Sequence, residues 1–236
     1  MASPPFSSPN QKPRYVRQMF AQIAERYDLL NALISLGQDD RWRRMLLRQL
    51  GLRAGERFLD LGGGTGALTR EALTLEPGLQ VVTADLTHEM LTVGKQQLAH
   101  LPIRWLTTDA LRLPFPDETF DVVASGFLLR NVADLNTALE EQHRVLKTGG
   151  RWAALDTSRP PTNLLAPFMR FHLRVVVPCL GKTVAHNATA YRYLQTSTEN
   201  FLTPQEMREH LAMAGFREIS YQRLMFGAVA LYWARK

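Results

Sequence analysis

Phe58–Thr69 reads FLDLGGGTGALT. With Arg57 it begins as a short apolar strand, RFLDL, carrying one carboxylate, Asp60. Glycines follow at 62, 63, 64 and 66, and ALTREALTL then has helical composition. Glycine lets the backbone turn sharply and lets a ligand approach the main chain. A glycine turn between strand and helix lies at the carboxyl end of the strand, where open α/β sheets bind their ligands.

The alternation continues downstream. QVVTADL (80–86), IRWLTTD (103–109), FDVVASGF (120–127) and GGRWAALDTS (149–158) read as strands. HEMLTVGKQQLAHL (88–101) and LNTALEEQHRVLK (135–147) read as helices. From Pro160 to Leu202 the pattern lapses, and the segment reads as a cover inserted over the strand ends. TPQEMREHLAMAGF follows as a helix with Thr203 as N-cap and Gly215 as stop. REISYQRLM and GAVALYWAR close the chain as two more strands. Alternating strands and helices predict a mainly parallel, doubly wound α/β sheet, here of seven strands with helices on both faces and a helical lid.

Upstream, YVRQMFAQIAERYDLLNALISL (15–36) spaces its apolar residues as a helix does, and DRWRRMLLRQLGL continues with Gly51 as a stop. The Pro/Ser-rich start predicts a disordered tail over 1–13. The expected organisation is one domain over 14–236, with N-terminal helices over 14–53 and the lid insertion over about 160–202.

The 236 residues carry a formal charge of +6. Arg41, Arg43, Arg44, Arg48, Arg53 and Arg57 flank an apolar helical pattern, which resembles a solvated face or a membrane-surface contact more than a base-reading groove. No Asn-Pro-Pro-aromatic motif follows the fourth strand, so no nucleic acid is expected as substrate. The single cysteine, Cys179, permits no internal disulfide and fits a reducing, cytoplasmic setting. No secretory signal or membrane-spanning run is expected. The six histidines lack metal-ligand spacing, so no metal is expected.

A glycine turn alone also fits a phosphate or dinucleotide loop, or a tight turn with capping acids. The Lys-Ser/Thr ending of a P-loop is missing. Asp85 ends the second strand, where a carboxylate can accept hydrogen bonds from ribose hydroxyls. Asp109 ends the third, with Ala110 beside it, a natural place for an adenine edge.

The D-x-G-x-G-T-G form from Asp60, with Asp85, Asp109 and LPFPDETFDVV, resembles motif I and its partners in S-adenosylmethionine-dependent methyltransferases. RYDLLNALISLGQDDRW, FLLRNV, HRVLKTGGRWAALDTSRP, AYRYLQTS and GAVAL narrow this to a resemblance to the UbiE/MenG family of quinone-biosynthesis C-methyltransferases, over nearly the whole chain. The resemblance implies the class I (Rossmann-like) methyltransferase fold. It also implies methylation of a prenylated quinol ring carbon in menaquinone or ubiquinone synthesis, with S-adenosylmethionine as cofactor. It places cofactor contacts at Asp60, Gly62, Gly64, Thr65, Gly66, Asp85, Leu86, Asp109, Ala110, Ser125 and Gly126. Peripheral contact with the inner face of the membrane, and a homodimer or quinone-synthesis complex, are further expectations. The chain departs from the family at Asp39, Ala67 and Asp156, where His, Asp and Glu are common.

A quinol attacks a methyl group best as its phenolate, and a phenol ionises in water only near a pKa of roughly 10. A fixed guanidinium beside the oxygen stabilises that anion. Arginine does not remove the proton itself; a water held by Arg130, Asn131 and Tyr27 is expected to receive it, so catalytic roles are expected of these three residues. The competing reading pairs Arg130 with Asp134 or a helix end and leaves Tyr27 in the core. Tyr191 and Tyr193 are expected in lid packing. Other functional readings are methylation of another small aromatic metabolite and a non-catalytic cofactor-binding scaffold of a quinone-synthesis complex.

Overall fold

A computed structural model describes residues 11–159 and 188–236. The expected tail up to residue 10, and most of the lid with Cys179 and His186, lie outside the described residues, as does the side chain of Tyr191. The strands are β1 (Arg57–Leu61), β2 (Gln80–Asp85), β3 (Ile103–Thr107), β4 (Phe120–Gly126), β5 (Leu146–Thr157), β6 (Arg217–Leu224) and β7 (Val229–Arg235). They form one sheet in the order β3-β2-β1-β4-β5-β7-β6. Only β7 runs against its neighbours. The described helices are α1 (Lys12–Ile23), α2 (Tyr27–Ile34), α3 (Asp39–Leu50), α4 (Ala67–Leu75), α5 (His88–Gln97), α6 (Leu135–Val145), α7 (Ala188–Glu199) and α8 (Pro204–Met213).

Helices cover both faces, so successive strand residues are buried on opposite sides and the strands read as continuous apolar runs. Phe58, Val122, Leu155 and Leu231 pack with Trp42, Leu46 and Leu50 of α3 and Ala72 of α4. Leu59, Val123, Trp152 and Tyr232 pack with Leu139 of α6 and Met207 and Leu211 of α8. Trp152 is wholly buried, and its indole N–H donates to Gln142 Oε1 at 2.9 Å, which satisfies its one polar group. Thr203 and Glu206 close a reciprocal capping box at the start of α8.

Four sequence expectations are corrected. Lys12 and Pro13, expected in the tail, are helical: α1 starts at Lys12, with Pro13 in its first turn, where the missing N–H leaves no bond unmade. The helix expected over 15–36 is two, divided by a 3-10 turn at Ala24–Arg26. The break lets Val16, Met19 and Ile23 of α1 and Leu30 of α2 share a third cluster with Tyr193. The fifth strand starts at Leu146, with a register slip against β4 between Phe120 and Val122. Arg43 is no part of a solvated face. It is buried and donates to Asp39 Oδ2 at 2.7 Å, one helical turn back. Burial pushes the Asp39 carboxyl up, but the Arg43 guanidinium and Ser35 hydroxyl outweigh it and hold the group below the usual carboxylate range.

Candidate functional site

From β1 the chain winds outward through β2 to β3; from β4 it winds the other way to β5. The loops after β1 and β4 therefore diverge and open a crevice at the carboxyl ends of the strands. A cleft lies there. Its walls include Gly62, Gly64, Asp85, Leu86, Asp109, Ala110 and Gly126. Met90, Thr87, Phe127 and Leu128 also line it, as do Pro13, Val16 and Phe20 of α1. The sequence carried no signal that α1 reaches this cleft, because the contact spans the chain.

The loop geometry explains the acids and glycines. Gly64 has φ 56°, a region that favours glycine, and its N–H donates to Asp85 Oδ2 at 3.0 Å. Thr87 N–H donates to Asp85 Oδ1 at 2.7 Å. Burial pushes the Asp85 carboxyl up, and these amides pull it back without cancelling the rise. Each oxygen keeps a lone pair for a further donor. Asp109 is exposed at the rim and accepts Leu111 N–H at 3.0 Å.

Asp60, Thr65, Gly66 and Ser125, also expected at the cofactor, are not among the residues that line the cleft. Asp60 is wholly buried beneath the turn, where its Oδ2 accepts Thr69 N–H at 3.0 Å and Thr69 Oγ1–H at 2.7 Å. It fastens the start of α4 to β1, and burial raises its pKa to about 6. The Thr65 hydroxyl donates to Asp28 Oδ1 at 2.7 Å and ties α2 to the glycine turn. A Cβ on Gly66 would meet Leu98 Cδ1 and Trp105 Cη2, each at 2.8 Å, so close packing requires that glycine. Ser125 is wholly buried in β4.

A second, smaller chamber shares Phe20, Tyr27 and Asn131 with the cleft. Met19, Ile23, Leu30 and Ile34 make it apolar; Asn31, Arg130 and Tyr193 complete the wall. Arg130 Nη1 donates to Asp156 Oδ1 at 2.6 Å and to Phe127 O at 3.1 Å. The guanidinium also lies 5.4 Å from the Phe127 ring centroid. The partner is thus Asp156 and not Asp134, which accepts Thr137 N–H at 3.2 Å as the N-cap of α6. Two of the three family departures, Asp39 and Asp156, face buried arginines; Ala67 opens α4. Asn131 Nδ2 donates to Phe127 O at 2.9 Å, and its Oδ1 accepts the Tyr193 hydroxyl at 3.2 Å. Burial raises the Tyr27 pKa; Asn31, Arg130 and Arg43 oppose the rise. Tyr193 is pushed up to about 12, chiefly by burial. Both phenols stay protonated at neutral pH and can donate.

Lys12 clasps α1 over this region: its Nζ donates to Arg130 O at 3.0 Å and Val132 O at 2.6 Å. The cleft suits an adenosyl ligand. A Cβ on Gly126 would meet nothing within 4 Å, so the backbone there faces open space. Asp85 and Asp109 offer acceptors for hydroxyls and amines, and Leu86, Met90 and Leu128 offer apolar surface. Among the described residues, no three His, Cys, Asp or Glu side chains gather as a metal site, and no helix is long and apolar enough to cross a membrane.

The ubiE/COQ5 methyltransferase family matches residues 8–236. The ubiquinone/menaquinone biosynthesis C-methyltransferase UbiE of Desulfotalea psychrophila is 39% identical over 221 residues, covering 94% of this chain and 90% of its own. The demethylmenaquinone methyltransferase of Thermus thermophilus is 42% identical over 216 residues, covering 91% and 98%. Among solved structures, phosphoethanolamine N-methyltransferase 2 of Haemonchus contortus, in complex with phosphomonomethylethanolamine and S-adenosylhomocysteine, shares the fold with a TM-score of 0.64. Its identity is 17%, and the match covers 83% of this chain and 52% of that one.

Proposed function

The chain belongs to the ubiE/COQ5 methyltransferase family, and on that premise we propose that it methylates a ring carbon of a prenylated quinol held in the chamber beside the cleft. It is an S-adenosylmethionine-dependent C-methyltransferase of quinone biosynthesis. Both relatives' names include menaquinone, so demethylmenaquinol is the first acceptor to test.

The observation that carries the reading is a buried guanidinium at the wall of an apolar chamber that adjoins the cleft. When bound, S-adenosylmethionine supplies an electrophilic methyl group on a positively charged sulfur. Asp85, Asp109 and the Gly62–Gly64 backbone bind and orient that cofactor. Arginine stays a cation in proteins, so the acceptor's phenol proton, and the proton the ring carbon loses once the methyl is attached, pass to a water beside Arg130, Asn131 and Tyr27. Arg130 stabilises the ring oxygen as an anion, which sends electron density to the ring carbon. Asp156 and Phe127 O hold it in place. Tyr27 donates to the same region from its protonated form. Asn131 locks Tyr193 and the Phe127 loop. Met19, Phe20, Ile23 and Leu30 exclude water, which strengthens each of these interactions.

Leu29 and Leu36 are 55% and 69% exposed, with exposed Arg26 and Arg41 near them in sequence. A lipid acceptor and this surface support contact with an anionic membrane. Co-sedimentation with anionic vesicles tests it: Leu29→Ser with Leu36→Ser weakens binding, and an unchanged bound fraction refutes the contact. The function is tested by competing demethylmenaquinol with demethylubiquinol for one pool of labelled cofactor. Labelled, ring-methylated product from either supports the reading; label in neither refutes it.

A further inference from the structure

The polar groups of the chamber differ in what they already hold. Both ends of the Asn131 amide are engaged, by Phe127 O and by the Tyr193 hydroxyl. Arg130 commits Nη1 to Asp156 and Phe127 O, but its Nε is buried and meets no acceptor among the described residues. Asn31 stands one turn along α2 from Tyr27, and its Nδ2 is likewise buried without an acceptor among the described residues. Its helical role rests on the main chain, where Asn31 O accepts Ser35 N–H at 2.8 Å.

Buried polar groups in proteins nearly always find partners, and exceptions mark a place where something else supplies one. Arg130 and Asn31 both line one chamber whose other walls are largely apolar. The Asn31 side chain faces the Tyr27 hydroxyl as a hydrogen-bonding neighbour, and Arg130 acts on it by charge; both oppose the rise in pKa that burial imposes, so they converge on one region.

We propose that Asn31 Nδ2 donates to the acceptor ring oxygen other than the one Arg130 stabilises, and so selects a ring bearing two oxygens. This rests on the quinol reading above and adds a residue to it. A donor at each oxygen fixes the rotation of the ring in its own plane, which holds one ring carbon toward the cleft. A ring with a single oxygen leaves one buried donor unmet, and sites built to bind a hydroxyl reject analogues that lack it.

The test uses the full chain with S-adenosylmethionine, as wild type, Asn31→Ala and Asn31→Asp. The acceptors are demethylmenaquinol and the two prenylated naphthols that each lack one ring oxygen. Asn31→Ala should lower kcat/KM for the quinol by roughly 10- to 100-fold, as expected when a buried donor to a partly charged oxygen is lost. Asn31→Asp keeps the volume, turns the donor into an anion, and should fall at least as far. Cofactor affinity by calorimetry and thermal unfolding should match wild type. In mixed-acceptor competition the wild type prefers the quinol, and Asn31→Ala loses most of that preference. Unchanged kcat/KM on the quinol, undiminished preference, or a loss matched by weaker cofactor binding or lower stability would each overturn the proposal. A wild type that methylates no quinol overturns the functional reading and this proposal together; a fully active Asn31→Ala overturns this proposal alone.

Discussion

Replacing Asp156 by Asn removes one negative charge where it matters most. The Asp156 side chain is 0% exposed and that of Arg130 is 6% exposed. Asp156 Oδ1 accepts Arg130 Nη1–H at 2.6 Å and Thr157 N–H at 2.7 Å; Oδ2 accepts Arg130 N–H at 3.3 Å. Asparagine has nearly the same volume, so the variant leaves no cavity. What it leaves is a guanidinium buried without its counter-charge, which costs about 3–5 kcal/mol. For a chain of this length, 1 kcal/mol moves Tm by about 2–4 °C, so the expected fall is about 6–20 °C. The assay is thermal unfolding by circular dichroism, with cofactor affinity measured by calorimetry in the same buffer. Neither Asp156 nor Arg130 lines the cleft, so cofactor affinity should hold. Quinol turnover should drop, because the guanidinium loses its anchor. Combining Asp156→Asn with Arg130→Met removes both charges and should recover most of the lost Tm. A single variant that melts within 2 °C of wild type (the order of one ordinary surface change), or a double variant that melts lower still, would refute the reasoning.

Three other expectations follow from particular contacts. Asp60 has a folded-state pKa of about 6 against an ordinary 3.8, so the folded protein binds that proton more tightly than the unfolded chain. Its contribution is complete below about pH 4 and is lost as pH rises through about 6, a difference of about 3 kcal/mol at about 1.4 kcal/mol per pH unit. Asp60→Asn should therefore be more stable than wild type at pH 8 but not at pH 4 by urea unfolding; the same gain at both pH values would contradict it. Gly126→Ala should keep its Tm and bind cofactor roughly tenfold more weakly, because its methyl enters the open cleft, whereas Gly66→Ala should unfold at lower temperature because its methyl meets Leu98 and Trp105. Equal effects on both quantities in the two variants would count against the cleft assignment. Lys12→Met deletes both donors that clasp α1, so stopped-flow release of the cofactor should quicken roughly tenfold, matching the loss of one charged hydrogen-bonding group; an unchanged rate would show that α1 does not gate the cleft.

The sequence made the glycine turn and its flanking strands legible because their signals are local: apolar runs, glycines, and acids where strands end. Gly62, Gly64, Asp85, Asp109 and Gly126 reach the cleft for that reason. Asp60 and Thr65 sit in the same motif but turn beneath it, to Thr69 and Asp28, and no spacing rule distinguishes a carboxylate that faces a ligand from one that faces a helix. Arg130 was conspicuous as a charge beside an apolar run, yet its partner lies 26 residues away on β5. The nearer acid, Asp134, is taken up by a helix cap. The Lys12 clasp spans 118 residues and had no local trace. The break at Ala24–Arg26 was hidden because the apolar spacing on either side of it is helical. Asn31 lies in the RYDLLNALISLGQDDRW stretch that carried the resemblance, yet no role could be read for it there; the packed chamber shows its amide nitrogen buried without an acceptor at hydrogen-bond distance among the described residues.

The most direct test is a single turnover of the enzyme loaded with 13C-methyl cofactor, run once with demethylmenaquinol and once with its oxidised quinone, the product read by carbon NMR. A buried cation that stabilises a ring oxyanion predicts a labelled methyl on the ring carbon of the quinol and none from the quinone. Label on oxygen, or equal labelling of both redox forms, would contradict it.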